Sequence, residues 1–288
     1  MKKMLIFLTV AFLVQTVGYV WGSPAEDPVA QKYSAALAKI FDVQARIKGI
    51  NRAFEKVYPV AIVENKTFYI FEPATQERVY RLVRTSPDTL NLAPGTLAAF
   101  PLPFWDNRMA CVVTGKAFQE SDTYAFLFHE FVHCGQWDCC DLKLKQRLSI
   151  FQTAMKNKDY MWELQYPFPY ARPDFVKFHA ELLAALDLGD ASKVESLRSE
   201  LKKSLSDEDW EYMTWEEWKE GLARYLENRV RSVLGLPENK GGESPPFDRV
   251  TFYRGGDKFI RFLERRHPGI SNDMEKLYQT ISSVPSSK

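Results

Sequence analysis

Two histidines one helical turn apart flank a glutamate in the run His129-Glu130-Phe131-Val132-His133. Residues four apart lie on one face of a helix. Both imidazoles can therefore reach a single cation, and zinc favours such nitrogen donors. Glu130, beside the first ligand, is placed to contact a water on the metal rather than the metal itself. Zinc acidifies that water, and Glu130 can take its proton and pass it to a leaving amine. The chain holds only four histidines, so chance explains this spacing poorly. The neighbours Ala125, Phe126, Leu127, Phe128, Phe131 and Val132 are apolar. A buried His-Glu-His face without a cation would be costly, because buried charge needs partners.

A catalytic zinc usually takes three protein ligands and keeps one position open. The pattern in which a glycine and a third histidine follow the helix is absent; Gln136 and Cys139 occupy those slots, and the next histidine is His179. The stretch Trp215-Glu216-Glu217-Trp218-Lys219-Glu220-Gly221-Leu222-Ala223-Arg224-Tyr225 offers carboxylates. Glu220 is the preferred ligand, because Gly221 and Ala223 would let its helix approach the zinc helix closely. Glu216 and Glu217 read as solvated or capping charges. His179 reads as a helix-face histidine, and His267, before Pro268, as a charge at a helix C-terminus.

His-Glu-x-x-His followed by Trp-x-Glu-Gly-x-Ala-x-Tyr resembles the glutamate-zincins (gluzincins), especially the peptidase MA-like group. That group often adds a later Tyr-x-x-Gly, matched here by Tyr253-Arg254-Gly255-Gly256. The likeness covers residues 123–133 and 215–263. It implies His129, His133 and Glu220 as zinc ligands, Glu130 as general base and acid, and Tyr253 as an oxyanion stabiliser. It implies a zincin-like fold and a zinc metallopeptidase with a peptide or protein substrate. Many gluzincins carry an acidic residue one turn after the ligand glutamate, where this chain has Arg224. Support for a ligand histidine must then come from elsewhere, with Glu227 as the candidate.

Several elements must position these groups. Residues 29–57 carry apolar side chains at helical spacing. Residues 60–71, 78–83 and 108–114 read as strands, and the proline-rich 86–103 as loop. The strand 108–114, just before the zinc helix, is the candidate sheet edge for holding an extended substrate. The motif helix, residues 123–137, is apolar nearly all round and should be buried, with Ser121 or Asp122 as its cap. Helical patterns follow over 142–156, 174–188, 191–205, 215–234 and about 256–266, and 238–246 reads as a flexible loop. Strands in the first half and helices in the second argue for an α+β fold. The expected layout is a small N-terminal sheet lobe (23–120) and a mainly helical lobe (121–288), with the zinc site between them. A helical hairpin insert (174–205) is expected as a cap over the cleft.

The first 22 residues have the charged start, apolar run and small-residue ending of a secretory signal, so the protein is expected to be secreted or periplasmic. No stable membrane insertion is expected after cleavage. A formal charge of +1 and the lack of a basic, aromatic-interleaved stretch argue against a nucleic-acid partner. Adjacent cysteines bridge each other rarely. If two disulfides form, Cys111 should therefore pair with Cys139 or Cys140, and Cys134 with the other. A different class also fits the motifs: a catalytically silent, exported gluzincin-like protein that binds a peptide or protein. The intact Glu130 favours the enzyme.

Overall fold

The computed structural model describes residues 27–283; the expected secretion signal lies outside the described residues. Helix α1 (Pro28–Ile47) opens on Asp27, whose carboxylate accepts the N–H groups of Val29 and Ala30. It buries Leu37, Ile40, Phe41, Val43 and Ile47, one stripe at helical spacing.

A mixed five-stranded sheet follows, in the order β3-β2-β1-β5-β4. Its strands are β1 (Val60–Glu64), β2 (Thr67–Ala74), β3 (Val79–Pro87), β4 (Leu97–Leu102) and β5 (Arg108–Thr114). The stretch 60–71, read as one strand, is a hairpin. It turns at Asn65 and Lys66, both with positive φ (49° and 57°), as a tight two-residue turn requires. Pro73 lies within β2, not at a turn. Alternation gives the sheet two faces. Val60, Ile62, Phe71, Cys111 and Val113 join the main core, while Ala61, Val63, Phe68, Ile70, Ala110 and Val112 build a smaller one with Trp105 and Leu102.

The helices are α2 (Thr123–Cys139), α3 (Asp141–Lys145), α4 (Ser149–Asn157), α5 (Trp162–Gln165), α6 (Pro173–Leu188), α7 (Ala191–Ser204), α8 (Asp207–Leu234), α9 (Val250–Arg266) and α10 (Met274–Ser282). The fold is α+β, with strands confined to residues 60–114. Helix α2 is wedged between β4 and β5 on one side and α8 on the other, which explains its apolar circumference. Asp122 does not cap it; its carboxylate instead accepts from Arg231 Nη2 at 2.9 Å. Helix α8 starts at Ser206, whose hydroxyl accepts from the Asp209 N–H, and ends at Gly235 with φ 73°.

Gly221 does not serve the approach of α8 to α2. A Cβ on it would stand 2.5 Å from Gly256 Cα, so the glycine pair sets the contact between α8 and α9. The hairpin α6–α7 packs on these two helices through Arg198–Glu217 (2.9 Å) and His179–Thr251 (2.9 Å). The 238–246 segment is irregular but tied down. Asn239 donates to Glu227, and Glu243 pairs with Arg254 and Lys258. Among the described residues, no helix is long and apolar enough to cross a membrane.

Candidate metal centre

His129 and His133 project from one face of α2, with ring centroids 4.9 Å apart. Glu220 reaches them from α8. Its Oε2 lies 3.4 Å from His129 Nε2 and 3.2 Å from His133 Nε2. One donor atom from each of the three residues falls within 4.8 Å of the others, and all three side chains are buried. Ligand bonds of about 2.0–2.1 Å in a tetrahedron put neighbouring donors about 3.3 Å apart, so the two nitrogen–oxygen separations suit a small divalent cation. The group could hold a metal ion.

The outer ring nitrogens are already committed, which leaves Nε2 of each imidazole for the centre. His129 Nδ1 is 3.0 Å from Glu227 Oε2, and His133 Nδ1 is 2.9 Å from Gln136 Oε1. Such partners fix the ring and its tautomer. Glu227 is held in turn by Arg224, Arg231 and Asn239. Burial alone would raise its carboxyl; the His129 hydrogen bond and nearby charges outweigh it and hold the pKa at about 2. Burial lowers His129, but hydrogen bonds to Glu220 and Glu227 reverse this and carry the imidazole to about 10. A pocket that favours a proton on that ring by negative charge also favours a cation in its place.

Glu130 turns toward the sheet. Its Oε2 accepts the Ala99 N–H at 2.7 Å. Burial raises its carboxyl, against the pull of both imidazoles. The strand it meets is β4, not β5. β5 is interior, parallel to β1 and antiparallel to β4, which corrects the expected edge. The 86–103 stretch concealed β4 because prolines usually mark loops. An edge strand tolerates them where no ladder N–H is needed. Thr114 N–H donates to Thr96 O at 2.9 Å, so by alternation Leu97, Ala99 and Pro101 turn their backbone groups away from β5.

Tyr253 lies within α9 and not ahead of it, because the helix begins at Val250. Its ring stacks beside His129 with centroids 6.3 Å apart, and its hydroxyl accepts from Arg249 Nη1. Burial pushes its phenol well above the ordinary value, so it stays protonated.

Glu216 and Glu217 are not solvated; each is 0% exposed. Arg198 pairs with Glu217. Arg249 Nη2 lies 2.9 Å from Glu216 Oε2, although neither Glu216 oxygen has an aligned hydrogen bond. The same Nη2 donates to Glu220 Oε1 at 2.9 Å. Arg249 and Gln136 are the participants that residue spacing missed. Gln136, one turn past His133, carried a readable signal; Arg249 sits in no motif. His179 is fully buried and away from the three-residue group. Two clefts, of 440 and 320 Å³, share Arg229 and Arg261 and include none of the centre's residues. No family model, curated protein or solved structure matches the chain.

Proposed function

We propose that this protein is an exported, zinc-dependent metallohydrolase of gluzincin type that cleaves peptide bonds. The observation that carries the reading is the single Glu220 oxygen within 3.4 Å of both inward imidazole nitrogens, beside a glutamate anchored to a sheet edge. Two imidazoles and a carboxylate are a donor set that leaves zinc an open position. Bound there, zinc supplies a Lewis acid that polarises a carbonyl and acidifies water.

The protein's own groups supply the rest. Glu130 keeps Oε2 on the Ala99 N–H, leaving Oε1 to accept a proton and return it to the departing nitrogen. The Tyr253 hydroxyl is an O–H donor for an oxygen that gains negative charge. The outward carbonyl of Ala99 and the backbone of Leu97 offer an extended peptide one more strand on β4. Arg249 and Glu227 hold Glu220 and His129 in place.

Metal analysis of purified protein should find about one zinc per chain, and His133→Ala should lose it; no zinc in either protein removes the reading. Against a mixed peptide library, Glu130→Gln should cut turnover by roughly 10²–10⁴. A zinc-loaded wild type no more active than Glu130→Gln would point to the silent peptide binder instead.

A further inference from the structure

Cys139 and Cys140 leave their sulfurs 2.8 Å apart, inside the contact distance of two unbonded sulfur atoms. All four thiols are free, and neither Cys111 nor Cys134 meets this pair as the bridging pattern expected from the sequence required. Cys139 is exposed, whereas Cys111 and Cys134 are 0% exposed. An oxidant in solvent therefore meets Cys139 first and Cys140 directly behind it. Cys111 and Cys134 lie in the core, out of reach of such an oxidant.

We propose that Cys139 and Cys140 form a reversible dithiol–disulfide couple driven by low-molecular-weight disulfides. The Cys139 thiolate attacks one sulfur of such a disulfide, forming a mixed disulfide and expelling one thiolate. The Cys140 sulfur then attacks Cys139, closing the Cys139–Cys140 bond and expelling the second thiolate. The two thiol protons pass to the two leaving groups, and two electrons pass from the protein to the oxidant. Closure needs a further approach of roughly 0.8 Å to the bonded length of about 2.05 Å.

Reversibility follows from adjacency. Neighbouring Cα atoms are about 3.8 Å apart, short of the usual bridged separations of about 4.4–6.8 Å. The bridge is therefore strained, and strained disulfides are the more reducible ones. The couple occupies the corner between α2 and α3. There the Cys140 N–H donates to Gln136 O, and the Leu144 N–H to Cys140 O, each at 2.9 Å. It is thus a redox-sensitive joint at the end of the helix that carries both histidines. The proposal does not depend on the metal or on catalysis.

The test treats the full chain with oxidised glutathione, blocks remaining thiols with N-ethylmaleimide under denaturing conditions, and digests with trypsin. Peptide Ala117–Lys143 should carry one adduct, on Cys134, and be lighter by two hydrogens at Cys139–Cys140. Peptide Met109–Lys116 should carry its adduct on Cys111. Cys139→Ser should abolish the mass loss, and dithiothreitol should reverse it. A bridge to Cys111 or Cys134, an unresolved glutathione adduct on Cys139, or three adducts on Ala117–Lys143 would each overturn the proposal.

Discussion

Glu227 grips the same imidazole as Glu220, two turns further along α8. Its Oε2 is 3.0 Å from His129 Nδ1, while Glu220 Oε2 is 3.4 Å from His129 Nε2. One helix thus fixes both nitrogens of a histidine on another. At position 224, where the resemblance implies an acidic residue, Arg224 instead donates to Glu227 at 3.1 Å.

If the proposed zinc site is right, replacing the Glu227 support should weaken metal binding rather than unfold the protein. Glu227→Gln is expected to weaken zinc affinity by roughly 10–100-fold, measured by competition with a chromophoric chelator. Gln136→Ala should weaken it less, because a neutral amide holds His133 where a carboxylate holds His129. Affinity unchanged in Glu227→Gln would show that the ring needs no such anchor.

The choice of third ligand has its own control on the same helix. Glu220→Gln should lose nearly all bound zinc, whereas Glu216→Gln should retain it, since Glu216 faces Arg249 and takes no part in the three-residue group. Equal retention in both variants would remove Glu220 from the donor set.

Arg198 and Glu217 are each 1% exposed at their side chains and 2.9 Å apart. Arg198→Met leaves a carboxylate buried without its partner and should cost about 3–5 kcal/mol in urea unfolding. Adding Glu217→Gln should recover a substantial part of that loss. A single variant as stable as wild type would mean that Glu217 is satisfied by other groups.

Gly221→Ala should fail for steric reasons. Its Cβ would meet Gly256 Cα at 2.5 Å and Gly256 C at 2.9 Å, both backbone atoms. Overpacking of this kind costs about 1–3 kcal/mol or more. Because Glu220 is the preceding residue, zinc retention should fall together with the melting temperature. A variant with normal stability and normal zinc content would show that α8 and α9 separate freely.

His179 gives the stability a pH dependence. Burial, then the Arg198 charge, lowers its pKa to about 3, while the unfolded chain titrates near about 6.5. Between those values the unfolded state binds a proton that the native state refuses. Stability should therefore fall as pH drops below about 6.5, by up to about 1.4 kcal/mol per pH unit from this residue. His179→Gln should flatten that part of the wild-type profile, measured by urea midpoints at several pH values. Parallel profiles would mean that His179 is protonated in the folded state.

Residue spacing named His129 and His133, because ligand geometry on a helix is local: four residues make about one turn, and a turn aligns two imidazoles. Glu220 came from the motif resemblance and its small neighbours; the structure brings it to them through α8, with Gly221 facing α9 and not α2. Spacing also placed strands before helices and predicted the burial of α2, since an apolar circumference admits no solvated face. Glu227 as a partner for a histidine followed from the resemblance together with Arg224, and its carboxylate lies 3.0 Å from His129 Nδ1.

What the chain could not announce depends on pairings distant in sequence. A proline-rich run becomes the edge strand β4 only because β5 supplies its hydrogen bonds, and Ala99 matters only through a backbone N–H that any residue but proline would carry. Glu216 and Glu217 look like surface charges until Arg249, just ahead of α9, and Arg198, on α7, arrive beside them. Gly221 meets α9 instead of α2, a choice made by how three helices cross. Local periodicity encodes which face a side chain takes; which neighbour covers that face is settled by packing the whole chain at once.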